Sequence, residues 1–92
     1  MPESTRQLRI RKALEAAGCW VIKTHGSIFG NKGAPDLVGV WEGRGFGFEV
    51  KEPGEKLEPM QALHLERIRA AGGVGERVET IEEALAALEG RT

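Results

Sequence analysis

The 92-residue chain contains a single cysteine, Cys19, which excludes an intrachain disulfide and any cysteine-rich zinc framework. No stretch approaches the ~18 consecutive apolar residues of a membrane-spanning helix, and the N-terminus lacks the apolar core of a signal peptide. These absences predict a soluble, cytoplasmic protein with no membrane partner. Also missing is the basic excess usual in nucleic-acid-binding domains, because the net charge is −1. There is no internal repeat, low-complexity segment or linker. What remains is a length that suits one domain, residues 1–92, with one small core. A chain this short buries only a little over ~60% of its unfolded surface, which favours a homo-oligomer such as a dimer.

The charge is unevenly spread. Residues 1–32 carry six basic side chains (Arg6, Arg9, Arg11, Lys12, Lys23, Lys32) against two acids (Glu3, Glu15), whereas the remaining sixty carry seven basic and twelve acidic ones. A basic N-terminal element could follow a phosphate backbone while the acids elsewhere keep the body in solution. A solvated helix face explains the same pattern equally well.

Ser4 and Gln7 have the spacing of a capping box, and Leu8, Leu14 and Ala17, followed by Gly18, predict a helix over about 4–17. Cys19-Trp20-Val21-Ile22-Lys23 reads as a strand, and Gly26, Gly30, Asn31 and Gly33 mark a loop that ends at Pro35. Two apolar runs, 36–41 and 46–51, flank Glu42-Gly43-Arg44-Gly45, predicted as a four-residue hairpin loop. Pro59 opens a helix over about 59–71, with Leu63, Ile68 and Ala71 on its apolar face and Gly72-Gly73 as its stop. Residues 74–79 form a weaker strand, and Thr80 with Glu83 caps a short final helix. The order α-β-β-β-α-β-α predicts an α/β fold, a mixed sheet covered by helices.

With a loop over 42–45, Trp41 faces Phe46, Leu37 faces Val50 and Asp36 faces Lys51. Alternation then puts Leu37, Trp41, Phe46, Phe48 and Val50 on a core face and Asp36, Glu49 and Lys51 on the other. Glu49 and Lys51 stand roughly 6–7 Å apart along their strand, and Asp36 lies diagonally within ~7–8 Å of Glu49. Two carboxylates on a rigid sheet offer hard oxygen ligands to magnesium, which keeps several waters and accepts substrate phosphate oxygens. Such an ion assists phosphodiester hydrolysis, with Lys51 a point charge on the transition state or a positioner of the attacking water. The plain structural alternative makes Asp36 a turn residue and Glu49–Lys51 an ordinary ion pair on a solvated sheet. Against it, Val38 and Val40 share that face, so the face is expected to be partly covered, and covered acids need a reason.

Pro35-Asp36, twelve residues, then Glu49-Val50-Lys51 matches the PD-(D/E)XK nuclease pattern, and the element order is similar to that superfamily's restriction-endonuclease-like α-β-β-β-α-β core. The surrounding segments KTHGSIFGNKGAPDLVGV, GFGFEVK and LEPMQALHLERIRAAGG resemble the small VRR-NUC family, and the likeness covers nearly the whole chain. The resemblance implies Asp36 and Glu49 as metal ligands, Lys51 as catalytic lysine and Gln61 as an auxiliary active-site residue. It sets Glu3 against the family's first-helix glutamate, here one residue ahead of the Ser4 cap, as a further metal ligand. It further implies magnesium or manganese as cofactor and DNA as substrate, with Holliday junctions or other branched forms among the DNAs to consider.

Gln61, third in its helix, could aim its amide from the first turn at the polar sheet face, or simply be solvated. His25 and His64, thirty-nine residues apart, lack metal-ligand spacing, and the Gly26–Gly33 loop is no P-loop because Lys32 is not followed by Ser or Thr. Lys23, Lys32 and Arg44 are candidates for backbone-phosphate contacts, with an unliganded surface as the alternative. The functional reading is a metal-dependent endonuclease. The competing classes are a non-catalytic DNA-binding or assembly module with the same fold, and a structural α/β domain that binds only protein.

Overall fold

A computed structural model describes residues 3–24 and 32–90. Helix α1 spans Thr5–Ala16, strand β1 Trp20–Lys23, β2 Leu37–Trp41, β3 Arg44–Val50, helix α2 Pro59–Ala70, β4 Val74–Val78 and α3 Ile81–Glu89. The predicted α-β-β-β-α-β-α order is the observed one. The strands lie in the order β1-β2-β3-β4; the first three are antiparallel, and β4 runs parallel to β3 after the crossover through α2. The sheet is therefore mixed, with helices on both sides. No helix among the described residues is long and apolar enough to cross a membrane.

The core fills the space between one sheet face and helices α1 and α3. It joins Ile10 and Leu14 of α1, Val21, Leu37, Phe46, Phe48 and Val50 of the sheet, and Ala84 and Leu88 of α3. Phe46 and Phe48 stack with ring centroids 5.0 Å apart, an arrangement that adds to their burial. Cys19 is buried, as its apolar neighbours suggest, and Trp41 packs against the cluster from its edge.

Helix α2 lies on the opposite face, over β3 and β4, and glycine makes its close approach possible. A Cβ on Gly47 would stand 2.6 Å from Ile68 Cδ1, and one on Gly75 would stand 2.5 Å from the Leu65 carbonyl oxygen. The buried residue of α2 is Leu65, whereas Leu63 and Ile68 are only partly buried and Ala71 is exposed. The apolar face assigned from periodicity is thus rotated, because the glycine floor admits the helix along the Leu65–Ile68 edge. Similarly, Ile10 and Leu14 anchor α1, while Ala17 is an exposed cap. Since α2 covers β3 and β4, Val38 is only partly covered and Val40 is 43% exposed.

The hairpin differs from the four-residue expectation. Its loop is Glu42-Gly43, with φ of 50° and 77°, and Arg44 and Gly45 belong to β3. Two positive-φ residues match the right-handed twist of the flanking strands, which favours this short turn over a longer glycine-rich one. Trp41 accordingly pairs with Arg44, and Leu37 with Phe48. The register is shifted by two residues, an even number, so every side chain keeps its expected face.

The helix starts follow local chemistry. Ser4 and Gln7 form the full capping box. Ahead of Pro59 the Glu58 amide donates to Gln61 Oε1 at 2.8 Å, the reciprocal half of such a box. At α3 only half of the expected box is present: Thr80 accepts from the Glu83 amide, while the Glu83 carboxylate accepts from the Glu79 amide rather than from Thr80.

Candidate active site

The site forms where β2 begins and β3 ends. Asp36 precedes β2 and is fixed from three directions. The Thr24 amide donates to its carbonyl at 2.9 Å, the Thr24 hydroxyl donates to the Pro35 carbonyl at 2.6 Å, and the Val50 amide donates to Asp36 Oδ2 at 2.9 Å. Just upstream, Gly33 (φ 81°) passes so close to α2 that a Cβ would stand 2.7 Å from Met60 Cβ. Only glycine suits that backbone and that space. The segment thereby brings Pro35-Asp36 against the start of α2.

Continuing the observed register by one residue sets Asp36 directly opposite Glu49, closer than the diagonal placement expected from the sequence. Glu49 is 3% exposed, the only buried charged residue among the described ones. Its Oε1 accepts from Gln61 Nε2 at 3.3 Å, while its Oε2 is buried and no amide, hydroxyl or cationic donor among the described residues reaches it, so a proton shared with Asp36 is its one hydrogen-bonding option. Burial pushes the Glu49 carboxyl up to about 9, aided by the hydrogen bond and charge of adjacent Asp36, against the opposing pull of Lys51. Two adjacent carboxylates out of water resist being ionised together.

Gln61 completes a relay. Its side-chain oxygen accepts from the Glu58 amide at 2.8 Å while its amide nitrogen holds Glu49. Lys51, partly buried, follows at the end of β3, and its backbone amide donates to the Val78 carbonyl at 2.9 Å. These groups line an open, largely polar cleft of about 300 Å³, whose rim adds Ser4, Arg6 and Gln7 from α1 and Glu52 and Glu55 from the turn after Lys51. The rim residues escaped the sequence reading because their placement depends on tertiary contacts; the Ser4–Gln7 signature located only the helix start.

Asp36, Glu49, Lys51 and Gln61 therefore come together, but Glu3 does not join them. Arg11 takes both of its oxygens, Nε to Oε2 at 2.7 Å and Nη2 to Oε1 at 3.0 Å. That hydrogen bond holds the Glu3 carboxyl below its ordinary value. A glutamate ahead of the helix cap is within reach of Arg11 one face round, and a guanidinium is its natural partner.

The candidate phosphate contacts are also dispersed. Lys23 donates to the Thr24 carbonyl, Lys32 is exposed with its carbonyl 3.2 Å from His64 Nε2, and Arg44 donates to the Gly72 carbonyl at the far end of β3. His25 and most of the glycine-rich loop, residues 25–31, lie outside the described residues.

The donor set fits a hard divalent cation. Two carboxylates converge, one with a buried oxygen that no amide, hydroxyl or cationic donor among the described residues reaches, as expected of magnesium or manganese sites completed by water and phosphate. Among the described residues no cluster of three or more His, Cys, Asp or Glu side chains could hold a metal.

The fold is thus a four-stranded mixed sheet with an acidic pair and a lysine gathered where its two central strands begin and end. Searches with protein-family models and against curated proteins return no match. Among solved structures, one described as "VRR_NUC domain" is similar at 30% sequence identity and a TM-score of 0.70, covering 94% of this chain and 97% of its own. The chain belongs to the VRR_NUC domain family.

Proposed function

We propose that the chain is a metal-dependent DNA endonuclease, with Asp36 and Glu49 as ligands of Mg²⁺ or Mn²⁺ and Lys51 and Gln61 as their catalytic partners. The observation that carries this reading is the buried Oε2 of Glu49, facing Asp36 beside a lysine and reached by no amide, hydroxyl or cationic donor among the described residues. A buried carboxylate oxygen that no donor reaches is costly, and a cation held between it and Asp36 is the simplest group that would satisfy it.

When bound, the divalent ion supplies charge neutralisation at the phosphate and helps generate a nucleophile at neutral pH. The protein's own groups prepare the rest. The Val50 amide holds Asp36 and the Gln61 amide holds Glu49, so neither carboxylate has to reorganise during reaction. Lys51 lends positive charge to the phosphoryl oxygens as water attacks phosphorus and one P–O ester bond breaks. The capping relay through Glu58 keeps Gln61 from swinging into solvent.

Branched DNA, including Holliday junctions, belongs to the same proposal, as does a two-fold dimer in which two equivalent sites meet two equivalent phosphates. The dimer reading is supported by the outer face of β1 and β2, where Trp20 is 62%, Ile22 45% and Val40 43% exposed. Together they leave an apolar patch on the sheet face at its β1 side, the kind of surface found at the centre of an interface of about 800 Å² per partner. A second copy is the occupant proposed, because a two-fold axis sets the same apolar strand against itself. Sedimentation should give a dimer for the wild type and a monomer for Ile22→Lys; a wild-type monomer at all concentrations refutes the dimer.

A cleavage panel over linear, flapped and four-way DNA with magnesium, manganese or chelator tests the activity. Cleavage confined to the metal-containing reactions is expected, with four-way DNA cut fastest. Equal cleavage in chelator would refute the metal dependence, and binding without cleavage in every reaction would refute the enzyme.

A further inference from the structure

We propose that Arg77 is a positioning residue for Lys51, acting by clamping the turn that follows the lysine. The inference rests on the nuclease reading above and adds to it a residue outside the Asp36–Glu49–Lys51–Gln61 set.

Within residues 52–55 the turn is closed by short-range bonds: the Glu55 amide donates to the Glu52 carbonyl at 3.0 Å, and the Glu52 amide donates to Glu55 Oε1 at 2.6 Å; from α1, Arg6 Nη2 reaches the exposed Glu52 carboxylate at 3.5 Å. Every residue from Glu52 to Lys56 is exposed, so no apolar anchor holds the turn. Segments of that kind open most readily. This turn, however, carries two residues of the cleft rim and begins one residue after Lys51.

Arg77 anchors the backbone of the turn, where Arg6 reaches only an exposed side chain. Its Nε donates to the Glu55 carbonyl at 3.1 Å, and its Nη2 donates to the Glu52 carbonyl at 3.1 Å and the Glu55 carbonyl at 2.6 Å. Nη1 is held by Glu79 Oε2 at 2.6 Å, which orients the guanidinium plane. All three guanidinium nitrogens are committed, and the planar fork spans both carbonyls as an ammonium could not.

The alternative that a purely structural strand pair would adopt is absent. In the parallel register Arg77 is the neighbour of Glu49, and an arginine there could neutralise the buried acid directly. Its hydrogen bonds instead go to the turn and to Glu79, not to the Glu49 oxygen. Lys51 is thus fixed on both sides, by its own amide on the Val78 carbonyl and by the clamped turn immediately downstream.

The test uses the full chain and two variants, Arg77→Lys and Glu79→Gln, the second loosening the guanidinium without removing it. Read-outs are single-turnover DNA cleavage, DNA affinity in chelator, Mn²⁺ affinity by electron paramagnetic resonance, and thermal melting. Arg77→Lys should cut at least about tenfold more slowly, since small misplacements of a catalytic group are costly. Its DNA and Mn²⁺ affinities should stay within about twofold of wild type, because Asp36 and Glu49 keep their own anchors. Glu79→Gln should show the same pattern with a smaller loss of rate. Cleavage by both variants within twofold of wild type overturns the proposal. So does a rate loss matched by an equal loss of Mn²⁺ or DNA affinity, the mark of a generally loosened site. A wild-type chain that binds no Mn²⁺ and cuts no DNA fails earlier, at the nuclease reading itself.

Discussion

Strand β3 presents two different chemistries to its two sides. Toward α1 and α3 it offers Phe46, Phe48 and Val50, all buried in the apolar core. Toward α2 it offers Gly45, Gly47 and then Glu49, so the same seven residues leave room for a helix and end in a buried acid. The first face is built to maximise contact, and its groups are satisfied by packing. The second gives up side-chain volume to bring α2 close, which carries Gln61 to Glu49. One face holds the fold together; the other keeps an acidic side chain out of water, at a cost in stability.

Substitutions on the two sides should therefore have opposite signatures. Phe48→Ala should cost about 3–5 kcal/mol of stability in denaturant unfolding, as large aromatic truncations in cores do. Glu49→Gln, its immediate neighbour, should leave stability unchanged or raised while abolishing cleavage, with a loss on the order of 10³-fold in single-turnover rate. If Glu49→Gln unfolded the protein as Phe48→Ala does, the two faces would not differ as described. On the α2 side, Gly75→Ala should cost about 1–3 kcal/mol, since its methyl meets the Leu65 backbone carbonyl rather than a yielding side chain.

The pH dependence follows from Glu49. Its folded-state value, near 9, is above the ordinary 4.5, so the folded chain binds more protons than the unfolded one between those values. Stability from this group is then fully present below about pH 4.5 and is lost as pH rises through about 9. Melting of the metal-free protein should fall over that range, Mn²⁺ should flatten the slope, and Glu49→Gln should remove its contribution. The smallest expected effect is Thr80→Ala, about 1 kcal/mol, from the lost cap of α3.

Much of this contrast is written in local sequence, and the exceptions have a common cause. Alternation along β2 and β3 identified which residues face the core, and that assignment survived a two-residue error in register because faces repeat every two residues. The error arose because Glu42 adopts a positive φ that glutamate seldom takes, so the glycines of residues 43 and 45 suggested a longer loop. Asp36, Glu49, Lys51 and Gln61 were legible because the first three lie on one hairpin and the fourth on a helix whose start Pro59 marks. Glu3, which the resemblance set against the family's first-helix glutamate, is paired with Arg11, a partner that no local pattern marks. Leu65, Arg6 and Arg77 act through contacts between distant segments, which no periodicity encodes. The rim of the cleft is accordingly the part that required the folded chain.

The central claim is that the Asp36–Glu49 pair is a metal site that drives DNA cleavage. Calorimetric titration of Mn²⁺ into wild type and Asp36→Asn, paired with cleavage of the same DNA, tests it most directly. Wild type should bind the ion and cut, whereas Asp36→Asn should keep its fold but lose both binding and cleavage. Undiminished Mn²⁺ binding and cleavage by a folded Asp36→Asn protein would contradict the account.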